Sequence, residues 1–340
     1  RGVVSAGGLT VLHFLGLRRC FDAVYGASAG AMNLTYFLSG QPVGARAYVE
    51  DLANERFINL YRLLPAKNKQ PPRPALDLSI LLEEVMGEIK PLNWDAVIQS
   101  PVPLKVVASN LDTMTAVTMQ DFRDVDDLKM CLRASAAVPF VGGTMVEHRG
   151  LCMVDAAVFE GIPLPSAMED GCTHVLALCT QSRPELENEA KLTRKRKVLR
   201  QLGAMVSQAV KSIVLNPPYM KGVWDVVDQR DREGTGDELT LNMLVQGTDA
   251  PYPKIDYGPS EGSYVLAVFP DKEATGGADI SPLCIDPELM QTGLDAGMGS
   301  LASVLEPVTH AQDDEDKPGS GQVAQLLSLL GRIRVPNMSN

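Results

Sequence analysis

Residues Gly26–Ala27–Ser28–Ala29–Gly30 form a G-x-S-x-G pentapeptide, the spacing that lets a serine hydroxyl serve as an acyl-transfer nucleophile on a sharp strand-to-helix turn. Small residues around Ser28 remove the Cβ crowding that forbids such a corner. The apolar run Phe21–Tyr25 before it and the helical pattern Ala29–Leu38 after it predict the strand and helix that the pattern needs. Amides opening that helix would face negative charge developing beside the serine. Context decides such a match. Gly258–Pro259–Ser260–Glu261–Gly262 fits the same string, yet it precedes a strand and carries a carboxylate where small residues are wanted, so it reads as a turn.

A serine nucleophile needs a base. In the α/β-hydrolase order of serine, acid and histidine, several strands come before the elbow. Ser28 leaves room for one or two, which weakens the case for a histidine partner. His13 and His174 fall inside helix and strand patterns, and His310 lies beside an acidic run. His148, in the loop before Asp155, is the histidine placed to touch substrate or support a site.

The elements that must position these groups follow from periodicity. Short apolar runs alternate with longer helical patterns, which predicts strands joined by crossover helices. Helices are expected over Ala6–Leu17 and Ala29–Leu38, with helical spacing over Arg46–Leu64 and Leu76–Ile89. Pro65–Pro74, with its four prolines, reads as an exposed loop. Leu104–Ser109 and Thr115–Met119 flank the turn Asn110–Leu111–Asp112 and predict a hairpin. Cys152–Phe159, His174–Thr180 and Tyr264–Phe269 read as further strands. Asp228–Gly262 and the acidic Thr309–Gly321 look like surface additions, and the acidic run lacks the ligand spacing of a calcium loop.

The ordered motifs resemble those of the patatin-like phospholipases. They are Arg1–Gly2, FDAVYGASAGA at Phe21–Ala31, LKVVASNLDT at Leu104–Thr113, LRASAAVP at Leu132–Pro139 and MVDAAVFEGIPLPSA at Met153–Ala167. The likeness covers residues 1–180. It implies a three-layer α/β/α fold with a mainly parallel central sheet and 1–180 as the catalytic core, while strands expected on both sides of residue 180 would make 181–340 a continuation of the same domain. It also implies a serine esterase or lipase, a lipid acyl hydrolase working through a Ser28 acyl-enzyme with Asp155 as base and no cofactor. Oxyanion donors would come from Arg1, Gly2 and Ala29, with Gly26 and Gly30 shaping the elbow. Arg1–Gly2 would close a glycine-rich oxyanion motif whose start is expected upstream of this chain. Asp155 follows Met153 and Val154 and precedes Ala156–Ala157, surroundings that desolvate a carboxylate and raise its pKa. Alanine at 156 stands where the family has glycine, and would crowd the carboxylate if that backbone required positive φ.

Composition narrows the remaining classes. The 340 residues carry 31 Lys plus Arg against 42 Asp plus Glu, a formal charge of −11, which opposes binding to a polyanion. Aromatic residues make up 5%, too few to favour single-strand stacking. The six cysteines show no C-x-x-C spacing and the four histidines fall far from any thiol pair, so neither zinc nor any other metal is expected. No apolar run is long enough to span a bilayer. Lys191–Leu215, basic at its start and apolar on one face, could lie on a lipid surface or pack in the core, and Val323–Ile333 is a second such stretch. An intracellular location is the expectation, with any targeting segment lying before Arg1. Two rivals remain. One is a catalytically inactive protein of this fold that binds lipid or a protein partner. The other, a nucleotide site at Ala6–Gly7–Gly8, lacks both G-x-G-x-x-G and a P-loop lysine.

Overall fold

A computed structural model describes residues 1–63, 74–139, 141–143, 145–183, 240, 244, 254–255, 263–270, 280–281 and 283–310. The expected loop at Pro65–Pro74, apart from Pro74, and the stretches Lys191–Leu215, Gly258–Gly262 and Val323–Ile333 lie outside these residues. Most of Asp228–Gly262 and of Thr309–Gly321 does too. The chain opens with helix α1 (Gly2–Phe14), then strand β1 (Val24–Ala27), helix α2 (Ala29–Ser39) and the short α3 (Ala47–Glu50). A π-helix at Ile80–Ile89 and helix α4 (Trp94–Ile98) lead to the hairpin β2 (Leu104–Asn110) and β3 (Thr115–Met119). Helix α5 (Val125–Ala136), strands β4 (Val146–His148) and β5 (Leu151–Val154), and helix α6 (Leu164–Glu169) follow. Strands β6 (His174–Leu178), β7 (Lys254–Ile255) and β8 (Ser263–Val268) and the long helix α7 (Pro287–His310) complete the order.

Local chemistry sets several boundaries. Asp124 accepts the Asp127 amide at 2.8 Å and caps α5, while Asn93 accepts the Ala96 amide and caps α4. Gly40, at φ 76°, closes α2 in the left-handed conformation. The helix expected over Arg46–Leu64 shrinks to α3 plus a 3₁₀ turn at Leu60–Leu63. There the Asn54 side chain accepts the amides of Arg56 and Phe57, an Asx turn that competes with helix continuation. Helix α1 starts earlier than Ala6 and stops short of Leu17. Its glycines weaken the sequence pattern yet serve packing. A Cβ on Gly7 would sit 2.2 Å from the Leu294 carbonyl oxygen, and one on Gly297 only 1.9 Å from that of Val4, so α1 and α7 touch backbone to backbone.

The protein is a mixed α/β structure whose five-stranded mixed sheet is flanked by helices. Strands β1 and β2 are parallel, but β2–β3, β2–β5 and β4–β5 are all antiparallel. The expectation of a mainly parallel sheet is therefore corrected. The cause is a second hairpin, β4–β5, turning at Arg149–Gly150, both at positive φ, which reverses β5 before it meets β2. A separate three-stranded sheet joins β6 and β8 in parallel, with β7 antiparallel at the edge of β8. Strand β5 ends at Val154 rather than running to Phe159, and a 3₁₀ turn at Ala156–Val158 takes over. The main core gathers fully buried Val106, Ala108, Leu128, Leu132, Leu82 and Met86 from both strand and helix.

Register brings two strand ends together. Strand β1 lies along Leu104–Val107 of β2, and β5 along Ser109–Asn110. Because β3 occupies the other edge of β2 from Val106 to Asn110, β1 and β5 must share one edge. They run in opposite directions along it, so their C-terminal ends point at each other across Ala108. The residue after β1 is Ser28, and the residue after β5 is Asp155.

Candidate active site

Ser28 sits at φ 50° and ψ −122°, a left-handed conformation for a residue with a side chain. Such strain persists only where the surroundings enforce it. Below the turn, a Cβ on Gly26 would come within 2.5 Å of the Ala31 Cα, so the helix can fold back on the strand only with glycine there. A Cβ on Gly30 would meet nothing within 4 Å, leaving open space beside the serine. Helix α2 starts at Ala29, and its first amides point out of its N-terminal end.

Asp155 is 3% exposed. Its Oδ1 accepts the Ala157 amide at 2.8 Å, which ends β5 and starts the 3₁₀ turn. Burial pushes its pKa up to about 6, against the opposing pull of that amide and of the Ser28 hydroxyl. The buried Oδ2 makes no hydrogen bond of normal geometry. The serine therefore stands close enough to favour the charged carboxylate without having closed a full bond, a looseness common in resting catalytic sites. Ala156 is not among the positive-φ residues, so alanine replaces the usual glycine there without backbone strain.

Comparison with known proteins fits this arrangement. The patatin-like phospholipase family model matches residues 1–168. Over that span the chain belongs to the patatin-like phospholipase family. A distant relative is the Escherichia coli (strain K12) protein described as uncharacterized protein YjjU, 27% identical over 189 residues, which are 53% of this chain and 49% of that protein. The chain thus spans about half the length of the curated relative it matches.

The patatin-like region holds the start of α1 against the elbow. A Cβ on Gly2 would fall 2.5 Å from that of Ala29 and 2.7 Å from the Tyr48 hydroxyl. Gly2 is fixed there by a polar cluster that the sequence reading did not single out. The buried Asn33 donates from Nδ2 to the Gly2 carbonyl at 2.8 Å and to Ser5 Oγ at 3.0 Å, and its Oδ1 accepts the Tyr48 hydroxyl at 2.9 Å. Arg1 donates from Nε to the Ile280 carbonyl at 3.1 Å. The first turns of α1 and α2 thus meet beside Ser28. Asn33→Ala is expected to strand the Tyr48 hydroxyl and lower unfolding stability by about 1–3 kcal/mol, read from chemical denaturation.

Two further serines escaped the sequence reading. Ser109 donates from Oγ to the Ala156 carbonyl at 3.2 Å and accepts the Phe159 amide at 3.1 Å, tying the loop after Asp155 to β2. Ser135, near the end of α5, accepts the Ser28 amide at 2.8 Å and donates to the Val107 carbonyl at 2.5 Å. A hydroxyl within an otherwise apolar, small-residue stretch (LKVVASN, LRASAAVP) was the available signal, since a buried hydroxyl needs a partner.

His148 does not support the candidate dyad. Its Nε2 lies 2.6 Å from Asp127 Oδ1 in a buried ion cluster. Arg149 reaches the same carboxylate twice, from Nε at 3.0 Å and Nη2 at 2.6 Å, and Arg123 adds its backbone amide at 2.9 Å and its Nη2 at 3.3 Å. These cationic partners hold the Asp127 carboxyl far below the usual carboxylate range. Asp127, Cys131 and His148 present ligand atoms within 4.8 Å of one another, but a carboxylate already held by two guanidinium groups does not favour an added cation. Asp127 precedes Ser135 on α5 by about two turns, roughly 12 Å of helix. His13 lies in α1, and His174 on β6 stacks on Tyr264.

Proposed function

We propose that the chain is a lipid acyl hydrolase that cleaves carboxylic esters with Ser28 as nucleophile and Asp155 as base. The observation that carries this reading is the head-on meeting of β1 and β5, which brings a strained serine to a buried carboxylate whose Oδ2 has no hydrogen-bond partner. Asp155 takes the proton of the Ser28 hydroxyl as Oγ bonds to the ester carbonyl carbon. Collapse of the tetrahedral intermediate breaks the bond to the alcohol, which leaves with that proton. Water then attacks the acyl-enzyme, giving its proton to Asp155, and the fatty acid departs as Oγ is reprotonated. The carbonyl oxygen, negative in both intermediates, would be held by backbone amides at the joined helix starts, from Ala29 and from the Arg1–Gly2 segment.

The three-layer α/β/α arrangement and continuation of the same domain through 181–340 belong to this reading, supported by the close packing of α7 on α1. Among the described residues no helix is long and apolar enough to cross a membrane. The test is covalent capture with a fluorophosphonate, followed by peptide mapping and an ester-hydrolysis assay on lipid micelles. Modification at Ser28, absent in Ser28→Ala, together with release of fatty acid supports the proposal. An unmodified Ser28 in a folded, full-length protein favours the inactive lipid-binding alternative.

A further inference from the structure

The end of α5 touches the backbone of both groups in the proposed dyad. Ser135 Oγ accepts the Ser28 amide, and two residues later the Ala137 carbonyl accepts the Asp155 amide at 3.0 Å. Ser135 is fully buried, and its own proton goes to Val107, the β2 residue paired with Ala27 at the end of β1. One short segment thus grips the nucleophile, the base and the strand between them. Since β1 and β5 pair with different stretches of β2 and not with each other, the sheet alone leaves their end-to-end gap to be set from elsewhere.

We propose that Ser135 is a positioning residue that holds the strained Ser28 backbone and, through the Ser135–Ala137 segment, sets the gap across which the Ser28 proton reaches Asp155. This deepens the hydrolase reading and rests on it. At φ 50° the Ser28 amide has no strand partner and relies on the Ser135 hydroxyl. Removing that acceptor lets the turn relax, and a displacement of about 1 Å at a reacting atom can cost roughly 100-fold in rate.

Two substitutions separate position from packing. Ser135→Ala deletes the acceptor, and Ser135→Cys keeps most of the volume while offering sulfur, a poor acceptor. Cys131→Ala, also buried on α5 but without contact to either backbone amide, serves as the comparison. Both Ser135 variants should lower kcat on an ester substrate, and the fluorophosphonate reaction rate, by about 10- to 100-fold with KM within about 3-fold of the parent. Cys131→Ala should keep kcat within about 2-fold even where its melting temperature drops as far. Folded Ser135 variants with parental kcat overturn the inference while leaving the hydrolase reading intact, as does an equal loss in Cys131→Ala. A parent protein that neither reacts with the probe nor hydrolyses ester overturns the hydrolase reading, and this one with it.

Discussion

Asp155→Asn is expected to lower kcat on an ester substrate by about 10³–10⁴-fold while raising the melting temperature at neutral pH. The amide keeps the shape and can still accept the Ala157 amide through its oxygen, but it cannot take the Ser28 proton. The stability gain follows from linkage. A carboxyl raised from 3.8 to about 6 by burial contributes stability that is fully present below the unfolded value and lost as pH climbs through about 6. At pH 7 the folded protein therefore bears a buried charge that the unfolded chain would solvate freely, a burden of roughly 3 kcal/mol at most. Asparagine removes it. The melting difference between variant and parent should widen from pH 5 to pH 8, and kcat/KM of the parent should rise through about pH 6 as the base ionises. A variant that retains parental turnover would remove Asp155 from the mechanism.

Which parts of the site were legible follows from how local each structural requirement is. The elbow was readable because its requirement is steric and local: Gly26 meets the Ala31 backbone, and glycine is written in the sequence as glycine. Strand β3 and helix α2 were readable for the same reason, each carrying its own period and its own turn. The direction of β5 was not. Val146–His148 and Leu151–Val154 are too short to show clean alternation, and an Arg–Gly turn at positive φ is a faint signal compared with Asn–Gly. The reversal matters, because a β5 parallel to β1 would carry Asp155 away from Ser28 instead of toward it.

The supporting groups were hidden for another reason. Ser135, Ser109 and Asn33 act through partners 15 to 107 residues away, and a lone buried polar residue in an apolar stretch does not name its partner. Asp127 is one of three aspartates around the start of α5, with Asp124 and Asp126, and nothing in the spacing marks it as the buried hub that the structure makes it. The resemblance to a family pointed to the proposed dyad. Only the fold supplied what holds it.

Asp127→Ala should be strongly destabilising, costing about 3–5 kcal/mol, because it leaves the largely buried Arg149 and His148 without the carboxylate they share. The side chain is 1% exposed and receives two bonds from Arg149, one from the Arg123 backbone and a contact from His148. Its pKa is depressed, so its contribution is present above the unfolded value of 3.8 and fades only as pH falls well below it. Stability curves of the parent and of Asp127→Ala, measured by denaturant at pH 7 and again near pH 3, should therefore converge only partly at the lower value. Ester turnover, assayed at a temperature where the variant remains folded, should stay within a few-fold of the parent, since the cluster lies two helical turns from Ser135. A variant as stable as the parent would show that the arginines are satisfied by solvent and that the cluster does not anchor α5.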